Sequence, residues 1–351
     1  MSLAHLGIQG VRNLKDLTLT PAPGVNCLWG SNGAGKTSVL EAIFMLGRGR
    51  SFRTASLPAV IQHGESLLRV TARRGDNDTR LGIERGRDHW RGRINGQDSQ
   101  RISEFAAALP LVLIEPDSHR LVDGGPDGRR QYMDWQLFHV EPDYLALWQR
   151  YSRLLRQRNM ALKQRASTAV LVALEGPMAA AAEQINQWRQ REAIATGERV
   201  LSLIAELELT LPADIQIRYR PGHPADKSLM EAWAEQREAD RERGFTQRGP
   251  HRADLVLTCS GRPAAMEMSR GQQKLMALCL LLGQLLSLQH HSQQAPLLLL
   301  DDPVSELDAR HLGLLYDWIA ERPFQTWMTM TAPPERSFSL FHVEHGALLA
   351  G

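Results

Sequence analysis

The chain has 351 residues, 43% hydrophobic and 23% charged, with a formal net charge of +2, which allows a substantial core and either two domains or one large domain with an insertion. So small a net charge excludes recognition of polyanions through the overall field, and any nucleic-acid contact must come from local patches. Cys27, Cys259 and Cys279 stand far apart, which argues against a structural zinc site and a disulfide framework and suits the cytoplasm. The N-terminus does not read as a leader, and the longest apolar run, residues 275–288, is too short and interrupted to span a bilayer, so no membrane partner is expected.

The first twenty residues alternate as a strand or hairpin, at 6–11 and again near 17–19, with Arg12 and Asn13 in the connection. Those two either face a ligand or are ordinary turn residues, and spacing leaves both readings standing. An apolar strand at 25–29 then enters Gly30-Ser31-Asn32-Gly33-Ala34-Gly35-Lys36-Thr37, a G-x-x-x-x-G-K-T segment, followed from Ser38 to residue 46 by helical spacing. Strand, loop and helix in this order are the setting of a phosphate-binding loop. The glycines let successive N–H groups turn inward, and the helix dipole adds positive charge at the same point. Lys36 would reach the β and γ phosphates of a nucleoside triphosphate, and Thr37 would offer its hydroxyl to Mg²⁺.

Arg48, Arg50 and Arg53 follow among small residues and one aromatic, and residues 48–101 hold twelve arginines against six acids, with strands at 67–72 and 80–84. Contact with nucleic-acid phosphate and a solvated sheet edge both account for this pattern. A short strand at 109–114 ends at Glu115-Pro116, and the turn formers of 122–128 change the organisation. From about Arg129 the pattern is helical for most of a hundred residues, with Gly176-Pro177 as its one strong break, so a two-arm helical insertion is expected, its arms near 144–166 and 178–208. The first arm carries Arg150, Arg153, Arg156, Arg158, Lys163 and Arg165 without an acid, as a surface for DNA or a partner or as a solvated face.

Beyond it lie a strand at 215–219, a charged helix over 229–243, and a turn in which His251 reads as a structural hydrogen-bonding group, since no nucleophile is near. A further strand at 255–259 precedes Ser269-Arg270-Gly271-Gln272-Gln273 and a long apolar helix. Ser269 with Gln272 forms a capping box; with Gly271 and a helix start the segment is also a second anion site, which one domain needs only if it serves a nucleotide held by another copy. Residues 297–300 are four leucines ending in Asp301-Asp302, the pattern of a buried parallel strand with two carboxylates at its carboxyl edge. Asp301 is placed to hold Mg²⁺ and Asp302 to orient or deprotonate the attacking water. Ser305-Glu306-Leu307-Asp308 opens the next helix, with Ser305 and Asp308 as a capping-box-like pair.

In this order and spacing the phosphate loop, Ser269-Arg270-Gly271-Gln272-Gln273, Asp301-Asp302 and Ser305-Glu306-Leu307-Asp308 resemble the head of an ABC-type ATPase. Gly49-Arg50-Ser51-Phe52-Arg53, Gly124-Gly125-Pro126 with Arg129-Arg130, and Gly249-Pro250-His251-Arg252 further resemble recurring segments of the RecF family of bacterial recombination mediators, over nearly the full length. The resemblance implies an α/β ATPase head with a mixed sheet around the phosphate loop and an antiparallel β lobe, formed by residues 1–115 and 212–351, with a helical arm domain, 116–211, inserted. It implies ATP and Mg²⁺ as ligands, and an SMC-like protein of the nucleoid that dimerises head to head, residues 269–273 closing on the partner's nucleotide and Ser305 and Asp308 lying in the loop after the paired acids. It further implies action at gapped, single-stranded or junction DNA with RecR and RecO, helping to load RecA and supporting the SOS response.

Three departures qualify the resemblance. Asp302 stands where many ABC heads carry glutamate, which implies weak hydrolysis serving as a release switch. No histidine follows the next strand, which leaves Thr331 as the candidate γ-phosphate sensor. The strand Leu111-Val112-Leu113 offers no inter-lobe glutamine, so a second Mg²⁺ ligand is unassigned. Two other readings stand beside this one: an ATPase subunit of a membrane transporter, which has no use for the arm insertion or the arginines of 48–53, and an ATP-binding scaffold without useful hydrolysis.

Overall fold

The computed structural model describes residues 2–291 and 295–349. In chain order it holds β1 (Leu3–Gln9), β2 (Leu17–Leu19), β3 (Val25–Trp29), α1 (Lys36–Arg48), β4 (Leu67–Arg74), β5 (Arg80–Gly86), β6 (Trp90–Ile94), β7 (Gln97–Ser99), α2 (Ile102–Ala108) and β8 (Leu111–Ile114). Next come α3 (Arg120–Asp123), α4 (Pro126–Val140), α5 (Tyr144–Lys163), α6 (Thr168–Glu206), β9 (Ile215–Arg220), α7 (Leu229–Arg243), β10 (Asp254–Cys259), β11 (Arg262–Pro263), α8 (Ala264–Glu267) and α9 (Arg270–His291). The last segment holds β12 (Leu297–Leu300), α10 (Pro303–Glu306), α11 (Ala309–Ala320), β13 (Thr326–Met330), β14 (Ser339–Glu344) and β15 (Ala347–Leu349). The chain divides into two units, Met1–Ser118 with Gln284–Gly351, and His119–Gly283.

In the first unit, period-two patterning builds an antiparallel sheet ordered β2-β1-β4-β5-β6-β7. In β4, Leu68, Val70 and Ala72 point inward while Arg69, Thr71 and Arg73 point to solvent. The inward row joins Leu6, Ile8, Val39 and Ile43 in one core, so this sheet and α1 bury each other's apolar faces. The second sheet is ordered β15-β14-β3-β13-β12-β8, parallel except for the edge strand β15. All four leucines of β12 are buried, as in a strand covered on both faces. This order sets the carboxyl ends of β3, β13 and β12 side by side, about 4.8 Å apart from strand to strand. Gln325, wholly buried, accepts from Leu3 N–H at 2.7 Å and donates to Leu3 O at 2.9 Å and Ala22 O at 2.7 Å, tying the start of β1 to the start of β13.

The second unit packs α4 to α7 around a three-stranded sheet ordered β11-β10-β9. It runs from His119 to Gly283, whereas the sequence reading ends the inserted domain at residue 211. The reason is packing: Tyr219 of β9 donates to Asn186 of α6 at 2.6 Å, and Trp233 of α7 shares a core with Tyr151 and Ile185. Gly176-Pro177 is not a break: α6 runs through Pro177 over 39 residues, so the second arm begins at Thr168 rather than at Met178. Inside a helix a proline lacks the N–H for one bond and its ring crowds the carbonyl four residues back; Gly176, having no Cβ, removes only the further clash with the preceding residue. The basic stretch of α5 is not one surface either: Arg158 is fully buried, paired with Glu175 at 2.9 Å and Asp240 at 2.8 Å, its guanidinium 5.4 Å from the Trp233 ring centre.

His251 is structural as expected from its turn, its Nδ1 2.7 Å from Tyr151 Oη and its Nε2 3.0 Å from Thr246 O, and burial lowers its pKa to about 4. The three cysteines are buried free thiols, and burial pushes Cys27 and Cys279 up to about 12. Among the described residues, no helix is long and apolar enough to cross a membrane.

Candidate active site

β3 ends at Trp29 and α1 begins at Lys36, so residues 30–35 form a loop at the carboxyl edge of the parallel sheet. Gly30 (φ 148°), Gly33 (φ 81°) and Gly35 (φ 114°) occupy conformations that L side chains rarely adopt. At Gly30 space forbids a side chain as well, since a Cβ there would lie 2.1 Å from Val343 O. Lys36 turns back over the loop, donating from Nζ to Gly30 O at 2.8 Å and Ser31 O at 2.9 Å. Burial lowers its pKa, and the carboxylates of Asp302 and Asp301 oppose that shift. A buried cation facing a cradle of backbone groups is suited to an anion with several oxygens.

The two acids after β12 have different surroundings. Asp301 Oδ1 accepts from the Thr37 hydroxyl at 2.7 Å and from the Thr329 hydroxyl at 2.8 Å, and Thr329 Oγ1 in turn accepts from Asp302 N–H at 2.8 Å. Asp302 sits at φ 50° and lines a cleft of about 520 Å³ with Asn32, Lys36, Thr37, Arg53 and Thr331. The Thr37 hydroxyl and the Asp301 carboxylate form a hard-oxygen pair at the loop, the donor type a small divalent cation such as Mg²⁺ takes from protein, so these residues fit that ion. Thr329, on the strand between β3 and β12, was missed by the sequence reading, which singled out Thr331. Its signal was the row of threonines in residues 325–331, and only the strand order shows which one touches the acids.

Glu41 is the second residue the sequence reading passed over. It is wholly buried in α1 and accepts from Arg12 Nε at 2.8 Å and Nη2 at 2.7 Å; it also takes the Ser51 hydroxyl and lies 3.7 Å from Arg53 Nη1. Hydrogen bonding to Glu41 raises the Arg12 pKa, so the guanidinium stays charged at the cleft wall. Asn13 donates to Gly33 O at 2.9 Å and Ser38 donates to Asn13 Oδ1 at 3.4 Å, which seats Asn13 against the phosphate loop and the first turn of α1. Arg53 lines this cleft, Arg50 is exposed, and Arg48 is largely covered, its guanidinium 5.6 Å from the Phe44 ring centre.

Residues 269–273 belong to the second unit. Ser269 N–H donates to Gln272 Oε1 at 3.0 Å and Gln272 N–H to Ser269 Oγ at 3.3 Å, a reciprocal capping box at the head of the 22-residue α9. Ser269, Arg270 and Gly271 are exposed, Arg270 pairs with Asp123, and Gln273 is buried, donating to Ala265 O and Met268 O at 3.1 Å each. Ser305 and Asp308 do not form a capping pair: α10 is a single turn in which Ser305 Oγ donates to Asp302 O at 3.0 Å, while Asp308 caps α11 by accepting from His311 N–H at 3.0 Å. Arg129 and Arg130 bond to Asp254 and to Ala253 O, at 2.8 and 2.7 Å, which makes them framework residues.

The RecF/RecN/SMC N terminal domain model matches residues 2–333 of this chain. The DNA replication and repair protein RecF of Stenotrophomonas maltophilia (strain R551-3) is 36% identical over 363 residues, covering 100% of both chains. Its counterpart from Pseudomonas aeruginosa (strain LESB58) is 39% identical over 359 residues, covering 99% of this chain and 97% of the relative. Among solved structures, that of the recombination mediator protein RecF-ATP in the RecFOR pathway superposes with a TM-score of 0.89 at 24% identity, over 99% of this chain and 97% of the other. The Smc head domain of Pyrococcus furiosus bound to the C-terminal domain of ScpA gives 0.55 at 16% identity, over 99% and 94%. The fold is that of an SMC-type ATPase head.

Proposed function

The chain belongs to the RecF family within the RecF/RecN/SMC N-terminal domain group, and we propose that it is an ATP-dependent DNA-binding protein of recombinational repair whose site is the cleft between the phosphate loop and Asp302. The observation that carries this reading is the continuous chain of contacts from Thr37 through Asp301 and Thr329 to the Asp302 backbone, beside Lys36. Lys36 exchanges the carbonyls of Gly30 and Ser31 for phosphate oxygens, and residues 30–38 supply the N–H groups around them. Thr37 and Asp301 would hold Mg²⁺, which would supply positive charge to offset that of the β and γ phosphates. Asp302 orients the attacking water and takes its proton, Thr331 faces the γ phosphate from the cleft wall, Asn13 fixes the loop from the side, and Arg12, held by Glu41, presents its charge to the nucleotide from the cleft wall.

Exposed at the start of α9, Ser269, Arg270 and Gly271 serve the nucleotide of a second copy, with Ser305 and Asp308 near that contact. ATP thus holds two heads together on DNA, and slow hydrolysis releases them. The substrate is gapped, single-stranded or junction DNA, met through Arg50 and Arg53, with Arg48 behind them; by family resemblance RecR and RecO are partners and RecA an indirect one, in the cytoplasm. The test is a titration of labelled gapped, duplex and single-stranded DNA, with and without ATP, at several salt concentrations. Binding should need ATP and weaken with a log–log salt slope of roughly −0.9 per duplex phosphate neutralised. Lys36→Met should remove the ATP-dependent part, and binding indifferent to both ATP and salt would refute the reading.

A further inference from the structure

The last hairpin of the chain is seated against the phosphate loop without lining the cleft. β14 runs parallel to β3, and β15 folds back on it through Glu344-His345-Gly346-Ala347. Gly346 N–H donates to Ala34 O at 2.9 Å, and Gly346 O accepts from Lys15 N–H at 2.8 Å. One buried glycine therefore ties the middle of the loop to the turn that carries Asn13, which itself holds Gly33.

The fit leaves no slack. Gly346 has φ 73°, and a Cβ there would lie 2.0 Å from Asn13 O. At the loop's entry a Cβ on Gly30 would lie 2.1 Å from Val343 O, and Trp29 stacks on His342 with ring centres 3.8 Å apart. None of the hairpin residues lines the cleft, and all of them lie beyond residue 333, where the family-model match ends.

A loop with glycines at positions 30, 33 and 35 loses much conformational freedom when it closes on a ligand, so contacts that order it beforehand strengthen binding. We infer that the C-terminal hairpin, acting through Gly346, is a positioning element that holds the phosphate loop in its nucleotide-receiving shape. The inference rests on the nucleotide reading above.

Amide hydrogen exchange on the full chain, with and without ATP, separates the two. ATP should slow exchange at the loop and also at Gly346 and Lys15. Protection of the loop with Gly346 and Lys15 unchanged overturns the hairpin's role, whereas an unprotected loop overturns the nucleotide reading. In steady-state kinetics Gly346→Ala should raise the KM for ATP roughly tenfold or more with kcat nearly unchanged, because small misplacements of a binding element cost one to two powers of ten. His345→Gly, at the neighbouring exposed position with φ 47°, should leave both constants alone. An unaltered KM in Gly346→Ala overturns the inference, and the exchange comparison on the parent chain decides it even if that variant does not fold.

Discussion

Asp301 and Asp302 show how far adjacent residues of one type diverge once their neighbours are assigned. Asp301 is held by the hydroxyls of Thr37 and Thr329, whereas Asp302 is turned into the cleft by a left-handed backbone at φ 50°. That conformation costs an L-residue about 1 kcal/mol, and it is stabilised locally by the bond from Asp302 N–H to Thr329. If Asp302 is the base, Asp302→Asn should lower single-turnover hydrolysis by roughly 100-fold or more while ATP binding and ATP-dependent dimerisation persist. Hydrolysis at the parent rate in a variant that still dimerises would remove Asp302 from that role. Among the residues in contact here, the loop and the acid pair are legible in the sequence, because each occupies consecutive positions with a strand or helix beside it. Thr329 and Glu41 are not: a threonine in a strand and a carboxylate in an apolar helix gain meaning only from partners 28 residues away at Asp301 and 29 away at Arg12.

At the scale of elements, the clearest structural lesson is in α5 and α6. A run of arginines without acids suggests one basic face, yet Arg158 points inward and meets Glu175 from α6 and Asp240 from α7. Arg237 adds a bond to Glu175 at 2.8 Å, and Arg158 also donates to Thr246 at 2.7 Å, so every charge in the cluster is compensated. Removing Arg158 leaves buried Asp240 without its countercharge and Glu175 with Arg237 alone. Arg158→Met should therefore lower unfolding stability by about 3–5 kcal/mol in urea or thermal denaturation, and a loss under about 1 kcal/mol would show that the cluster relaxes or hydrates. The helix bounds follow a similar logic. Leu229–Arg243 is legible from its capping box at Ser228 and Glu231 and its terminal Gly244, all local signals. Continuity through Pro177 is not, because proline in a helical pattern ordinarily ends it.

For the whole molecule, the first unit is made of two stretches separated by the second, so β8 pairs with β12 along its full length although residues 119–283 lie between them in sequence. The proposed sharing of sites between copies belongs to this scale. Lys36→Met disables one subunit's loop and Ser269→Arg its contribution to the partner, so a mixture of the two variants should regain one working site per mixed dimer while each variant alone has none. ATPase titrated against mixing ratio checks this, and activity that stays absent at every ratio, or reaches the two-site level, would sink the sharing model.

From the sequence alone come the phosphate loop, the leucine strand with its two acids, the capped helices and the α/β class, because these depend on backbone conformation and side-chain periodicity within a few residues. The tertiary structure alone decides that β13 lies between β3 and β12, that Glu41 gathers Arg12 and Arg53, that Arg158 is buried, and that Gly346 stands against the loop. Those contacts join segments tens to hundreds of residues apart, and burial and strand pairing contribute their free energy only when the separate segments have been brought together.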